Sequence, residues 1–243
     1  MRKFIFYLLV FVAVTALSAS SASAILFTAS SGDRSASAEF TQNATNLNVT
    51  LTNTSLADVL VPIDVLTAAF FSLEGVSSLT PISAKLSFGS TVLFGGTDPA
   101  NVVGGEWAYA SGLSGAPGGA DMGISSSGLG LFGPGDRFPG TNLQGPDDPN
   151  GLQYGITSAG DNPLTGNTPV TGSNALIKKS VDFILGGLPT GFILDRESFS
   201  DVSFQYGTSL SEPNNPVPEP TTMLLLGSGL LGLAGFRKKF FKK

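Results

Sequence analysis

Apolar and polar side chains alternate along much of the middle of this 243-residue chain. Ala36, Ala38 and Phe40 alternate with Ser35, Ser37, Glu39 and Thr41. Leu47, Val49 and Leu51 alternate with Asn46, Asn48, Thr50 and Thr52. A period of two predicts strands with one buried face. Val181, Phe183 and Leu185 repeat the pattern, as do Val202, Phe204 and Tyr206. Residues 63–73 are mostly apolar and predict a more deeply buried strand. Leu86 and Phe88, followed by residues 92–94, predict a hairpin around Gly89-Ser90. Helical periodicity is absent outside the termini. Short strands separated by Gly, Pro and Asn turns predict an all-β fold, an antiparallel β-sandwich of jelly-roll-like form.

Residues 112–172 interrupt the alternation. They hold 16 of the 31 glycines and seven of the 15 prolines. Such a stretch cannot build a core of its own. It is expected to be a loop-rich, partly ordered insert on the sandwich.

The two ends are of another kind. Arg2 and Lys3 precede an apolar run from residue 4 to 17, and small residues then lead to Ala22-Ser23-Ala24. This is the layout of a signal peptide cut after Ala24, with Ala22 and Ala24 as the cleavage-site residues. At the other end stand Val217, Pro218, Glu219 and Pro220, an apolar stretch over 221–236, and a tail carrying Arg237, Lys238, Lys239, Lys242 and Lys243. A helix over 221–236 would be about 24 Å long, a short membrane span. Its basic tail would stay cytoplasmic and leave the rest outside the inner membrane. Gly229, Gly232 and Gly235 lie three apart along that helix. Small residues on one face let a second membrane helix approach closely.

A Pro-Glu-Pro motif, the helix sequence LLLGSGLLGLAG and a basic tail, in that order, resemble a PEP-CTERM sorting signal. The resemblance implies a substrate of exosortase, a multi-pass membrane enzyme with a cysteine-protease-like site, in a Gram-negative bacterium that makes exopolysaccharide. It makes Val217, Pro218, Glu219 and Pro220 recognition residues of a substrate. The prolines hold that stretch extended and outside the helix. The body is similar to one group of exosortase-dependent surface proteins. The likeness runs through Phe27-Thr28-Ala29-Ser30, Asn48-Val49-Thr50-Leu51-Thr52-Asn53, Pro62-Ile63-Asp64-Val65-Leu66-Thr67 and Val202-Ser203-Phe204-Gln205-Tyr206-Gly207-Thr208. Leu143-Gln144-Gly145 and Tyr154-Gly155-Ile156-Thr157 extend it. It implies class and location, not an activity.

The division expected is therefore a signal peptide over 1–24, an exported domain over 25–216 containing the insert, and a sorting signal over 217–243. Charge sharpens it. The formal net charge is −5, yet residues 25–216 hold 17 acidic and 6 basic residues, a net of −11. The basic residues are concentrated in the two end signals. An acidic cargo does not suit nucleic acid, whose phosphates require basic patches. The chain has no Cys and no His, which excludes disulfides, thiol nucleophiles, Cys- or His-ligated metals and His-based triads.

Oxygen-based chemistry remains. Asp136, Asp147, Asp148 and Asp161 share the glycine-rich insert with free loop carbonyls, the ligand type calcium takes. The competing reading is that they form turns, as Asp does in Gly/Pro loops, and it is the default. Calcium is the one cofactor considered. Asp195 and Glu197 alternate on an expected strand, and Asp147 and Asp148 are adjacent; a glycoside hydrolase needs such carboxylate pairs. Trp107 and Tyr109 could stack a sugar ring, against the commoner reading of core aromatics. Gly128-Leu129-Gly130-Leu131-Phe132-Gly133 fits a dinucleotide fingerprint, but Pro134-Gly135 follows where a helix should open.

The leading expectation is a non-enzymatic surface or exopolysaccharide-matrix protein, structural or adhesive. Signal peptidase and exosortase would process it, and the inner membrane would hold it transiently. A carbohydrate- or calcium-binding adhesion module is the alternative, and a carboxylate-dependent glycoside hydrolase the third.

Overall fold

A computed structural model describes residues 24–218 apart from 147, 148 and 173. Among the described residues thirteen strands form two sheets. The first contains β1 (Ile25–Ser31), β2 (Arg34–Asn43), β3 (Asn46–Asn53), β5 (Thr80–Leu86) and β11 (Ser180–Gly186), in the order β1-β2-β3-β11-β5. The second contains β4 (Leu66–Leu73), β6 (Thr91–Leu93), β9 (Ile156–Thr157), β10 (Leu176–Lys178), β12 (Phe199–Tyr206) and β13 (Asn214–Pro216), in the order β13-β12-β4-β9-β10-β6. β7 (Ala108–Ser111) and β8 (Met122–Ser125) join it through β4. Every pairing is antiparallel except that of β9 with β10.

The alternating sequences became strands, with one buried face in β2, β3 and β11; β12 is covered on both faces from Val202 to Tyr206, Ser203 and Gln205 being buried as well. In β3 the residues Leu47, Val49 and Leu51 are buried while the polar residues before each are half-buried. β4 is buried along its length except at Ser72, as its apolar sequence requires. The sheets meet across an aromatic core. Phe40 of β2 lies 5.3 Å from Phe71 of β4 and 4.5 Å from Phe199 of β12, centroid to centroid. Such ring pairs add about 1 kcal/mol each beyond their buried area.

The expected hairpin around Gly89-Ser90 does not form. β5 pairs with β11 and β6 pairs with β10, so the chain passes through residues 87–90 without reversing. β10 and β11 are separated by Lys179 alone, at φ 94°. Together these four strands make one long ribbon that bends from the first sheet into the second. The arms of the 87–90 turn bond to this ribbon: Ser87 N–H donates to Ser180 O at 3.3 Å and Ser180 N–H to Ser90 Oγ at 3.1 Å. The corner is where the two sheets are joined by continuous chain.

The glycine-rich stretch is built into the second sheet. It supplies β8 and β9 and buries Ile124, Phe138, Leu152 and Tyr154. Its glycines mark close approaches. A Cβ on Gly155 would sit 2.6 Å from Val65 Cγ1, and one on Gly160 would sit 2.1 Å from Leu56 O.

Candidate functional site

The two sheets also meet on the side away from the corner. β1 and β13 are the edges of their sheets and approach each other there, with no ladder joining them. β1 begins at Ile25, one residue after the exposed Ala24, and Ile25 is itself buried opposite Phe40. Arg196, on the turn before β12, holds this edge. Its guanidinium carbon lies 4.3 Å from the Phe27 ring centroid, and Nη1 donates to Leu26 O at 2.8 Å.

On the facing edge, β13 pairs with β12, Pro216 standing opposite Ser203. The ladder runs on past the strand: Val217 N–H donates to Val202 O at 2.8 Å. The Val217 side chain packs, partly buried, on the aromatic core. Pro218 has no N–H and borders two shallow hollows. One, with Phe27, Phe199 and Val202, is small; the other, about 280 Å³, has Thr28, Ser30, Ser35 and Thr54 on its wall. The turn feeding β13 is cross-bonded. The buried Gln205 donates through Nε2 to Ser209 O at 3.0 Å and Glu212 O at 3.1 Å, and Glu212 Oε2 accepts Ser209 N–H at 2.8 Å.

The sequence that leaves this seam is matched by a family model, the PEP-CTERM protein-sorting motif, over residues 216–239. The chain carries a PEP-CTERM sorting signal. It is therefore an exported protein directed to exosortase. The match begins one residue before the expected boundary, at the last residue of β13, and ends at Lys239. No curated protein and no solved structure matches the chain.

Of the sorting residues of this PEP-CTERM protein, Val217 and Pro218 are in the structure. Glu219, Pro220, the 221–236 stretch with Gly229, Gly232 and Gly235, and the tail Arg237, Lys238, Lys239, Lys242 and Lys243 lie outside the described residues, as does Ala22. Among the described residues no helix is long and apolar enough to cross a membrane.

The acidic candidates are dispersed. Asp136 Oδ2 accepts Gly133 N–H at 2.8 Å in a 3₁₀ turn. Asp161 is buried elsewhere and accepts Val59 N–H at 3.2 Å. Asp147 and Asp148 lie outside the described residues. Among the described residues no group of three or more acids is placed to hold a metal ion. Asp161 instead contacts Asp58, a pair that sequence distance conceals. Burial raises the Asp161 pKa, while the Thr165 hydroxyl and Asn162 N–H keep Asp58 low.

Asp195 and Glu197 are not on a strand. They sit on the turn before β12, where Asp195 accepts Ser198 N–H at 2.8 Å. Glu197 instead borders a cleft of about 610 Å³ with Glu74, Asp121 and four serines. Trp107 and Tyr109 are core residues. The Trp107 ring lies 5.0 Å from that of Phe183, and Tyr109 Oη accepts Leu79 N–H at 3.1 Å. Residues 128–133 form a turn in which Leu131 and Phe132 N–H donate to Gly128 O, and a 3₁₀ turn follows in place of a helix.

Proposed function

We propose that this PEP-CTERM protein is cargo and not catalyst: a jelly-roll-like β-sandwich exported to the cell surface or exopolysaccharide matrix, with a structural or adhesive role. The observation that carries this reading is the sorting motif beginning on the last strand of an acidic, all-β domain. Signal peptidase removes residues 1–24 and leaves Ile25 at the start of β1. A helix over 221–236 holds the precursor in the inner membrane until exosortase acts. Intact mass of the surface form is the test. A mass running from Ile25 to near Pro220 is expected, and a surface form retaining Lys243 overturns tail removal.

The polar cleft beside Glu74, Asp121 and Glu197 favours one second reading, an adhesion module that takes a hydroxyl-rich ligand such as a polysaccharide. Co-sedimentation with purified exopolysaccharide separates the two. Binding lost in Glu197→Ala supports the module; equal recovery of the variant removes the cleft from the account.

A further inference from the structure

The sorting motif and the fold share residues. Val217 belongs to the matched motif, yet its N–H is in the β12 ladder and its side chain is on the core. Nothing separates the folded domain from Pro218. A peptide bond held in a ladder cannot at the same time lie extended in a processing enzyme's active site. The segment is also poorly suited to fraying. Gln205 and Glu212 tie the preceding turn, and Asn214 Nδ2 donates to Gln205 Oε1 at 3.2 Å and Ser203 Oγ at 3.3 Å. Pro218 ends the ladder, because it has no N–H to extend it.

We propose that β13 and Val217 form a latch that sets the upstream limit of processing. Bonds up to Val217 are withheld by the fold, those from Pro218 onward are offered, and the domain is released with β13 in place. The inference rests on exosortase acting on this motif. It adds that the enzyme works against a folded domain one residue away, without peeling its last strand.

The test uses the full chain in membranes of cells that make the enzyme. The C-terminal residue of the released domain is read by intact mass, and amide exchange at Val217 is measured in parallel. Expected are a product ending at 218 or later and a Val217 amide protected roughly tenfold or more relative to Gln205→Ala. Gln205→Ala, and Glu212→Ala outside the core, are expected to yield additional products ending within 214–217. A wild-type product ending at or before Val217 overturns the latch, and so does a Val217 amide exchanging as fast as a free peptide. A tail never removed overturns the exosortase reading instead, and the Val217 exchange rate distinguishes the two failures.

Discussion

Glu106 Oε1 accepts the backbone N–H of Gln144 at 2.9 Å and that of Leu143 beside it, although Glu106 is buried. One side chain thereby satisfies two amides of the glycine-rich stretch. Burial raises its pKa above the ordinary 4.5, against the opposing pull of the two amides and Arg137. A raised carboxyl adds most stability when protonated, and that contribution is lost as pH rises through its folded pKa. Glu106→Gln keeps the acceptor without the charge. It is expected to melt within about 1 kcal/mol of wild type at neutral pH and to gain less on mild acidification. Glu106→Ala leaves both amides without their acceptor and should cost about 2–4 kcal/mol. Thermal melts across the acidic range check both.

Gly105 should tolerate no side chain. A Cβ there would lie 2.1 Å from Thr141 O, and one on Gly104 would lie 2.0 Å from Pro139 O. Both are backbone contacts that cannot swing away. Gly105→Ala is expected to cost about 3 kcal/mol or more, as overpacking at rigid sites does. Gly96 has open space around its Cβ position. Gly96→Ala should be neutral or stabilising by up to about 1 kcal/mol. Denaturant melts of the pair would read the difference directly.

The buried phenols predict an alkaline limit. Tyr154 donates to Gly96 O at 2.8 Å, and its pKa is pushed from 10.0 to about 12, chiefly by burial. Burial raises Tyr109 and Tyr206 as well. The unfolded chain therefore ionises first. Stability is intact below the ordinary value of 10.0 and falls as pH rises towards about 12. Tyr154→Phe should lose about 1 kcal/mol at neutral pH and show a shallower alkaline decline. A decline as steep as wild type would remove Tyr154 as a contributor.

Arg196 should act on β1 more than on global stability. Its stacking on Phe27 and its bond to Leu26 O are together worth about 1–2 kcal/mol. Arg196→Ala is expected to speed amide exchange across Ile25–Ser31 while leaving β11 protected. Lys at this position keeps the charge but not the planar stack, so it should recover only part of the protection.

The sequence revealed which strands have two different faces, and less about which strands share a sheet. β2, β3 and β11 were legible because burial of one face forces a period of two; β12 alternates in sequence too, yet Ser203 and Gln205 are buried along with Val202, Phe204 and Tyr206. That period says nothing about partners, so the corner at 87–90 read as a reversal. Its bend is completed by Lys179, a left-handed residue with neither glycine nor proline to announce it. Composition marked residues 112–172 as loop-rich, and β8 and β9 are their only strands among the described residues; it did not show how closely they pack, because glycine permits loose chain and close backbone contact alike. Gly155 and Gly160 are of the second kind. The sorting motif was legible from residue order, to within one residue of where its match begins. That its first residues belong to the fold was not, since alternation is lost after Tyr206 and Val217 reaches β12 across a turn.

The strand order also fixes an orientation. β13 and β1 are edges on one side, β6 and β5 edges on the other, with Phe88 on the bend between them almost fully exposed. A domain tethered through residue 218 hangs from one flank like a flag from its pole. The ribbon corner with Phe88 then lies on the flank opposite that attachment, and anything that covers Phe88 must approach from there.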